Sequence, residues 1–170
     1  IASPMAKRTC AGMEINMEKA IDLYVKKEGA AGENCFSTIG EAIEAMERIA
    51  PVPEEIATEL AKGRIYPSPV YEVTPFVVHI GAGEYREKLV LSRPNVTFLG
   101  EGRDKTVLVF GDGANEIEED GEKRGTFRTA TLRIDTPDFT ARHLTFQNDA
   151  GYGHTVGQAL ALYVDGDRCY

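Results

Sequence analysis

From Pro75 onward, short apolar runs alternate with polar breaks. The runs are FVVHI (76–80), NVTFLG (95–100), TVLVF (106–110), TATLRI (129–134), HLTF (143–146) and ALALYV (159–164), with Gly, Asp, Asn and Pro between them. No long helical stretch separates them, which disfavours a sheet built from strand–helix–strand units. Several runs are apolar at consecutive positions, as in strands buried against a stacked layer. The centres of FVVHI and NVTFLG lie about twenty residues apart, and those of TVLVF and TATLRI slightly further, a period typical of solenoid repeats. The pattern predicts a mainly β protein, an irregular parallel β-helix. A β-sandwich is the alternative, because its strands recur every 8–12 residues or so.

Before Pro75 the apolar spacing is helical. EINMEKAIDLYVKKE (14–28) places Ile15, Met17, Ala20, Ile21, Leu23 and Tyr24 near a helical period. STIGEAIEAMERI (37–49) does so more clearly: Ile39, Ala42, Ile43, Met46 and Ile49 form one stripe, with Glu41, Glu44, Glu47 and Arg48 opposite. Ser37 or Thr38 suits its N-cap. PEEIATELAK (53–62) predicts a further short helix, with Pro at its start and Gly63 after its end. IYPSPVYEVTP then reads as a Pro-broken connector. A solenoid coil cannot bury both its faces alone, so helix 37–49 is expected to cap the N-terminal end of the coils. No equivalent follows ALALYV, and the solenoid is expected to be truncated at Tyr170.

Composition changes this picture little. The 170 residues are 42% hydrophobic and 27% charged, ordinary values for a globular chain. A net charge of −8 argues against a nucleic-acid surface, which needs a basic stripe to displace counterions. No apolar stretch reaches the length of a membrane span, and IASPMAKRTCAGMEINMEKA has no apolar core of the kind a signal peptide carries. Cys10, Cys35 and Cys169 lack CxxC spacing and have no histidine at ligand distance in sequence, which disfavours a zinc site.

Most candidate chemistry has a plain reading. EIEEDGEKR (116–124) reads as a solvated charged loop, lacking the alternating acidic spacing of a calcium loop. GAGEYR lacks the third glycine of a phosphate loop. His79 reads as a strand histidine, while His143 and His154 lie where exposure is expected. No serine sits in a GxSxG elbow. Gln158 differs: a Gly-rich stretch, GYGHTVG, delivers one neutral amide to the start of an apolar run. Amide donors beside a cleft suit negative charge developing on a carbonyl oxygen. Alone, such a glutamine more often bonds its own turn.

Six stretches taken together resemble one family. FSTIGEAIEAM, VVHIGAGEYREKLVL, PNVTFLGEGRDKTVLVFG, GTFRTATLRI, FTARHLTFQNDAG and GQALALYVDGDRCY are similar, in order, to the N-terminal part of the pectin methylesterase (pectinesterase) catalytic domain. The resemblance runs from Phe36 to Tyr170. It implies a right-handed parallel β-helix and hydrolysis of galacturonate methyl esters in pectin, releasing methanol, through an aspartate nucleophile, a second aspartate as acid and base, glutamine oxyanion donors and an arginine. Gln158, in QALAL, matches the first glutamine. Thr126, in GTFRTAT, matches a substrate-contacting threonine, and both would share one face of the groove. The QD pair, the DFIFG-like strand and the arginine motif do not occur here, so these 170 residues alone are expected to be inactive. Asp165 and Asp167 match a strand-end DGDR turn, not the catalytic acids.

The resemblance divides the chain into a helical extension at 1–35 and the β-helix portion at 36–170, with an insertion at about 50–74 of unassigned role. It implies pectin as partner, no nucleic acid or membrane, no cofactor or metal, and a place outside the cell, where pectin lies. Two other readings stay open: a non-catalytic pectin-binding β-helix, and a pectate-lyase-like β-helix enzyme.

Overall fold

The computed structural model describes residues 20–63 and 66–170. Elements run in the order β1 (Ile21–Val25), β2 (Cys35–Phe36), helix α1 (Ile39–Ile49) and helix α2 (Glu54–Ala61), followed by three coils. The first coil is β3 (Phe76–Ile80), β4 (Gly83–Arg86) and β5 (Leu89–Leu91); the second is β6 (Val96–Gly100), β7 (Thr106–Phe110) and β8 (Leu132–Ile134). The third is β9 (Phe139–Arg142), β10 (Thr145–Asn148) and β11 (Leu162–Val164). Corresponding strands stack into three sheets, ordered β2-β1-β3-β6-β9, β4-β7-β10 and β5-β8-β11. Every named pair is parallel; Phe76 stands beside Val96 and Val96 beside Phe139. This is a parallel β-helix.

The helix expected over 14–28 is not what the described part shows. Ile21–Val25 is a strand, bonded in register to β3 from Ile21–Phe76 to Val25–Ile80. Its period is two: Leu23 and Val25 point inward at 0% exposure, and Asp22 and Tyr24 point out. The apolar positions fit both periods over so short a window, and pairing with β3 decides between them. Residues from Ile21 therefore belong to the solenoid itself. Residues 1–19 lie outside the described part.

Helix α1 caps the coils as its stripe predicts. Ile39, Ala42, Ala45 and Met46 are buried. Thr38 is the N-cap, its hydroxyl accepting from the Glu41 amide while the Glu41 carboxylate accepts from the Thr38 amide, a reciprocal capping box. A further anchor comes from far along the chain. The Glu87 carboxylate accepts from the amides of Ile39 and Gly40, both at 2.9 Å, so a charge at the β4–β5 turn satisfies two donors that the helix leaves open. Inside the coils, Val78, Phe98, Leu108, Leu132 and Ile134 are fully buried, and Phe98 meets Phe139 edge-on at 5.3 Å. Each such side chain contributes about 1.5–3 kcal/mol of burial. On the third coil the inward-facing Leu162 and Val164 are 36% and 42% exposed, with no coil stacked on them among the described residues.

The 50–74 segment is tied down at both ends. The buried Arg93 guanidinium donates to Ala50 O at 2.7 Å and Thr74 O at 3.0 Å, closing the base of the excursion, and also meets Glu47. Burial pushes Arg93 below the ordinary guanidinium range, opposed by Glu47. Between these ends, Arg168 of DGDR holds Ser68 O at 2.8 Å and Pro69 O at 3.0 Å, and Asp167 accepts from the Ser68 amide at 2.9 Å. The DGDR turn is thus also a clamp, a role its sequence does not display. Gly166 within it is irreplaceable on contact grounds, since a Cβ there would lie 1.9 Å from Thr136 O.

Candidate active site

Two long loops leave the coils on one side. One joins β7 to β8 and contains a single 3-10 turn, Thr126–Arg128; the other joins β10 to β11 and contains a short helical turn, Gly153–Val156. Backbone hydrogen bonds lace them together, Ala114 N to Gln158 O at 2.9 Å and Asn115 N to Val156 O at 2.8 Å, while Gly125 N to Ala114 O at 3.0 Å closes the first loop on itself. Close approach requires glycine twice. A Cβ on Gly113 would lie 2.6 Å from Val156 O, and Gly157, at φ +79°, would press a Cβ against Asn115. These glycines set where Gln158 emerges.

The structure brings Thr126 and Gln158 into direct contact. The Thr126 hydroxyl donates to Gln158 Oε1 at 2.7 Å. That bond fixes the amide orientation. It occupies the carbonyl oxygen and leaves the two Nε2 protons to donate outward, with no hydrogen-bond partner among the described residues. Among those residues no carboxylate hydrogen-bonds the pair. The arrangement presents an uncharged donor on exposed protein surface, oriented in advance by a neighbouring hydroxyl. Such preorganised donors stabilise an oxyanion because no reorganisation is needed when the charge develops.

Beneath the pair lies a buried polar layer. Thr129, 0% exposed, donates its hydroxyl to Thr126 O at 2.7 Å and accepts from Leu160 N at 2.9 Å. The Asn148 amide reaches three carbonyls at 3.0 Å, those of Asp112, Thr129 and Leu160, one on each chain segment that meets there. Asp112, also buried, bridges Lys88 and Arg124, and Lys88 donates in turn to Arg128 O at 2.7 Å. Arg124 also holds Glu116 and Glu118. The charged loop 116–124 is therefore folded around one arginine, whose own proton is held more tightly, first by the hydrogen bond to Glu118. The Arg86–Asp149 pair flanks the same layer and holds the Asp149 carboxyl below the usual range, through the hydrogen bond first.

Around the pair stand aromatic rings that the sequence reading passed over. Phe127 is 67% exposed and meets Tyr163 edge-on at 5.7 Å; the Arg133 guanidinium lies 5.3 Å over the Tyr163 ring. Tyr152, 82% exposed, lies 6.0 Å from His154. Phe127 presents an apolar ring to solvent, and Tyr152 and Tyr163 add rings tipped with a hydroxyl. The signal for Tyr163 was the strand itself: in ALALYV it occupies an outward position in register with Arg133.

Other candidates fall elsewhere. His79 bonds Asp22 at 2.7 Å and stacks on Tyr24, on the outer face of the first sheet, as a strand histidine would. His143 and His154 are exposed. Cys35 and Cys169 are half-buried free thiols, and burial pushes the Cys169 thiol up; Cys10 lies outside the described residues. Among the described residues no group of three or more His, Cys, Asp or Glu side chains is placed to hold a metal. No described helix is long and apolar enough to cross a membrane.

The architecture is that of a parallel β-helix whose loops present an oriented amide, with the exposed ring of Phe127 next to it in the chain. Comparisons with known proteins narrow the class. The family model described as Pectinesterase matches residues 59–170, and the chain belongs to that family. It is 36% identical over 111 residues to Pectinesterase A of Dickeya chrysanthemi, which covers 57% of this chain and 30% of that protein. It is 34% identical over 148 residues to Probable pectinesterase 56 of Arabidopsis thaliana, covering 86% of this chain and 40% of that one. Among solved structures, a pectin methylesterase in complex with a hexasaccharide superposes with a TM-score of 0.66 at 30% identity, over 87% of this chain and 40% of the other. Pectin methylesterase PemA from Erwinia chrysanthemi gives 0.64 at 31% identity, with the same coverage. The chain thus spans well under half the length of these relatives.

Proposed function

We propose that the complete protein is a carbohydrate esterase that hydrolyses methyl esters of galacturonate units in pectin, and that this chain supplies part of its groove. Gln158 donates to the oxyanion formed when a nucleophile adds to the ester carbonyl, and Thr126 orients the amide and contacts the sugar. The observation that carries this reading is the 2.7 Å contact between the two residues that the family resemblance singles out, 32 positions apart in sequence. The carboxylates the chemistry needs are not supplied at this pair by any described residue. The residues of 1–170 alone are accordingly inactive in this reading.

The product of the complete reading frame, incubated with highly methyl-esterified pectin, is expected to release methanol without added calcium. Binding without methanol would instead make it a pectin-binding β-helix. A calcium-dependent unsaturated product would make it a lyase.

A further inference from the structure

We propose that Lys88 is a positioning residue for the reaction: from the β4–β5 turn it sets the place of the Thr126–Arg128 turn and, through Thr126, the direction of the Gln158 amide. The proposal rests on the esterase reading above and adds to it a residue outside the Thr126–Gln158 pair.

Lys88 leaves the coil where the chain turns from β4 into β5. Tyr85 and Leu89 on either side are buried inside the coil, while the Lys88 side chain runs along its outside, 37% exposed. Its ammonium has two partners. It donates to the Asp112 carboxylate and, at 2.7 Å, to the carbonyl oxygen of Arg128. The first is a charge-assisted bond to a nearly buried acid, which holds the ammonium in one place. The second grips the last residue of the turn whose first residue is Thr126.

That turn moves as a unit. Arg128 N donates to Gly125 O at 3.3 Å, Thr129 N to Thr126 O at 3.1 Å, and the Thr129 hydroxyl to the same oxygen at 2.7 Å. A 3-10 turn rises about 2 Å per residue, so a displacement at Arg128 O is passed to Thr126 within one turn. Among the described residues, two side chains of the coils are hydrogen-bonded to this unit: Lys88 at Arg128 O, and Asn148 of β10 at Thr129 O. The Arg128 guanidinium adds no such tie, because it donates to the carbonyls of Lys123 and Arg124 in its own loop. One tie leaves a pivot; two fix the direction of the Thr126 hydroxyl. Because that hydroxyl donates to Gln158 Oε1 at 2.7 Å, its direction is also the amide's. A catalytic donor misplaced by about 1 Å costs up to ~100-fold in rate. A turn that has lost one of two ties still visits the right place, so the cost is smaller.

The fold does not depend on Lys88. Arg124 still pairs with Asp112 at 2.5 Å when Lys88 is removed, so no buried carboxylate is stranded. The Lys88 side chain also contributes nothing to the interior of the coils.

Lys88→Met in the product of the complete reading frame is expected to lower kcat for methanol release about fivefold with KM nearly unchanged. Lys88→Gln, uncharged and too short to reach both partners, is a second variant with the same expectation, and Lys88→Arg is expected to restore most of the rate. The decisive readout is the cycle with Thr126→Val. If Lys88 acts through the Thr126 hydroxyl, the double variant is no slower than Thr126→Val alone, whereas independent effects multiply. Lys105→Met, at an exposed cation between β6 and β7, is the control and is expected to match wild type. In the labelled 170-residue chain, Lys88→Met is expected to move the Gln158 side-chain amide resonances towards their place in Thr126→Val, and Lys105→Met to leave them. An unchanged kcat in Lys88→Met, or losses that multiply in the double variant, would overturn the positioning role and leave the esterase reading standing. No methanol from the wild-type product would bring down the esterase reading, and the amide resonances would then decide alone whether Lys88 orients Gln158.

Discussion

Gln158→Ala in the product of the complete reading frame is expected to lower kcat for methanol release by about two to three orders of magnitude, with little change in KM. That is the effect of removing one oxyanion-hole donor when the interaction forms only in the transition state. The geometry behind the expectation is specific. Thr126 holds the carbonyl end of the amide at 2.7 Å, so the donor end has one orientation. Thr126→Val removes that restraint but leaves the amide in place, and a smaller loss, on the order of tenfold, is expected. Gln158→Glu places a carboxylate where the oxyanion develops and should be at least as damaging as alanine. Steady-state methanol assays on the three variants check the order; equal rates in wild type and Gln158→Ala would remove Gln158 from the chemistry.

The second large effect is structural. Asn148→Leu leaves the carbonyls of Asp112, Thr129 and Leu160 without the donor they share at 3.0 Å. Each buried polar group stripped of its partner costs about 1–3 kcal/mol, so a loss of about 3–5 kcal/mol is expected after partial relaxation. Denaturant unfolding measures it. The loops should separate before the coils melt, because Asn148 joins segments of the loops to β10, whereas the core side chains lie inside the coils. Proteolysis confined to 111–128 and 150–160 would be the signature. Retained stability would mean that the backbone ladder from Gln158 to Ala114 and Gly125 suffices on its own.

How much of this was readable from residues alone differs element by element. The capping helix was, because an amphipathic stripe with Thr38 and Glu41 in capping positions is a local signal that the tertiary structure has no reason to override. Strands β3 and β7 were, as unbroken apolar runs between turn residues. β4 was not: GEYR buries only Tyr85 inside the coil and shows water its charges, so it reads as a charged turn. β1 was misread because five residues with inward Leu23 and Val25 satisfy a period of two, while the wider window satisfies a helical one. Gln158 stood out as an amide delivered by a Gly-rich stretch to an apolar run, Thr126 only through the family resemblance, and no spacing rule links residues that two loops bring together across a solenoid. The carboxylate of Glu87 on helix α1 and the grip of Arg168 on Ser68 are long-range pairings of the same kind. They become visible only when the coils are stacked.

The 50–74 segment illustrates the point from the other side. Its composition announces a short helix and a Pro-broken connector, and both are present as expected at 54–61 and 66–75. Its attachment does not show in its own sequence at all. It depends on Arg93, which carries the two ends, and on DGDR nearly a hundred residues later.

The central claim, that the Thr126–Gln158 pair lies in a pectin groove, is tested most directly by NMR on the isotopically labelled 170-residue chain. Titration with methyl-esterified hexagalacturonate is expected to shift the side-chain amide resonances of Gln158 together with the backbone amides of Phe127 and Tyr163. If those resonances stay fixed while others move, or if none move at saturating sugar, the groove is not where the geometry puts it and the pair is a loop contact without a substrate.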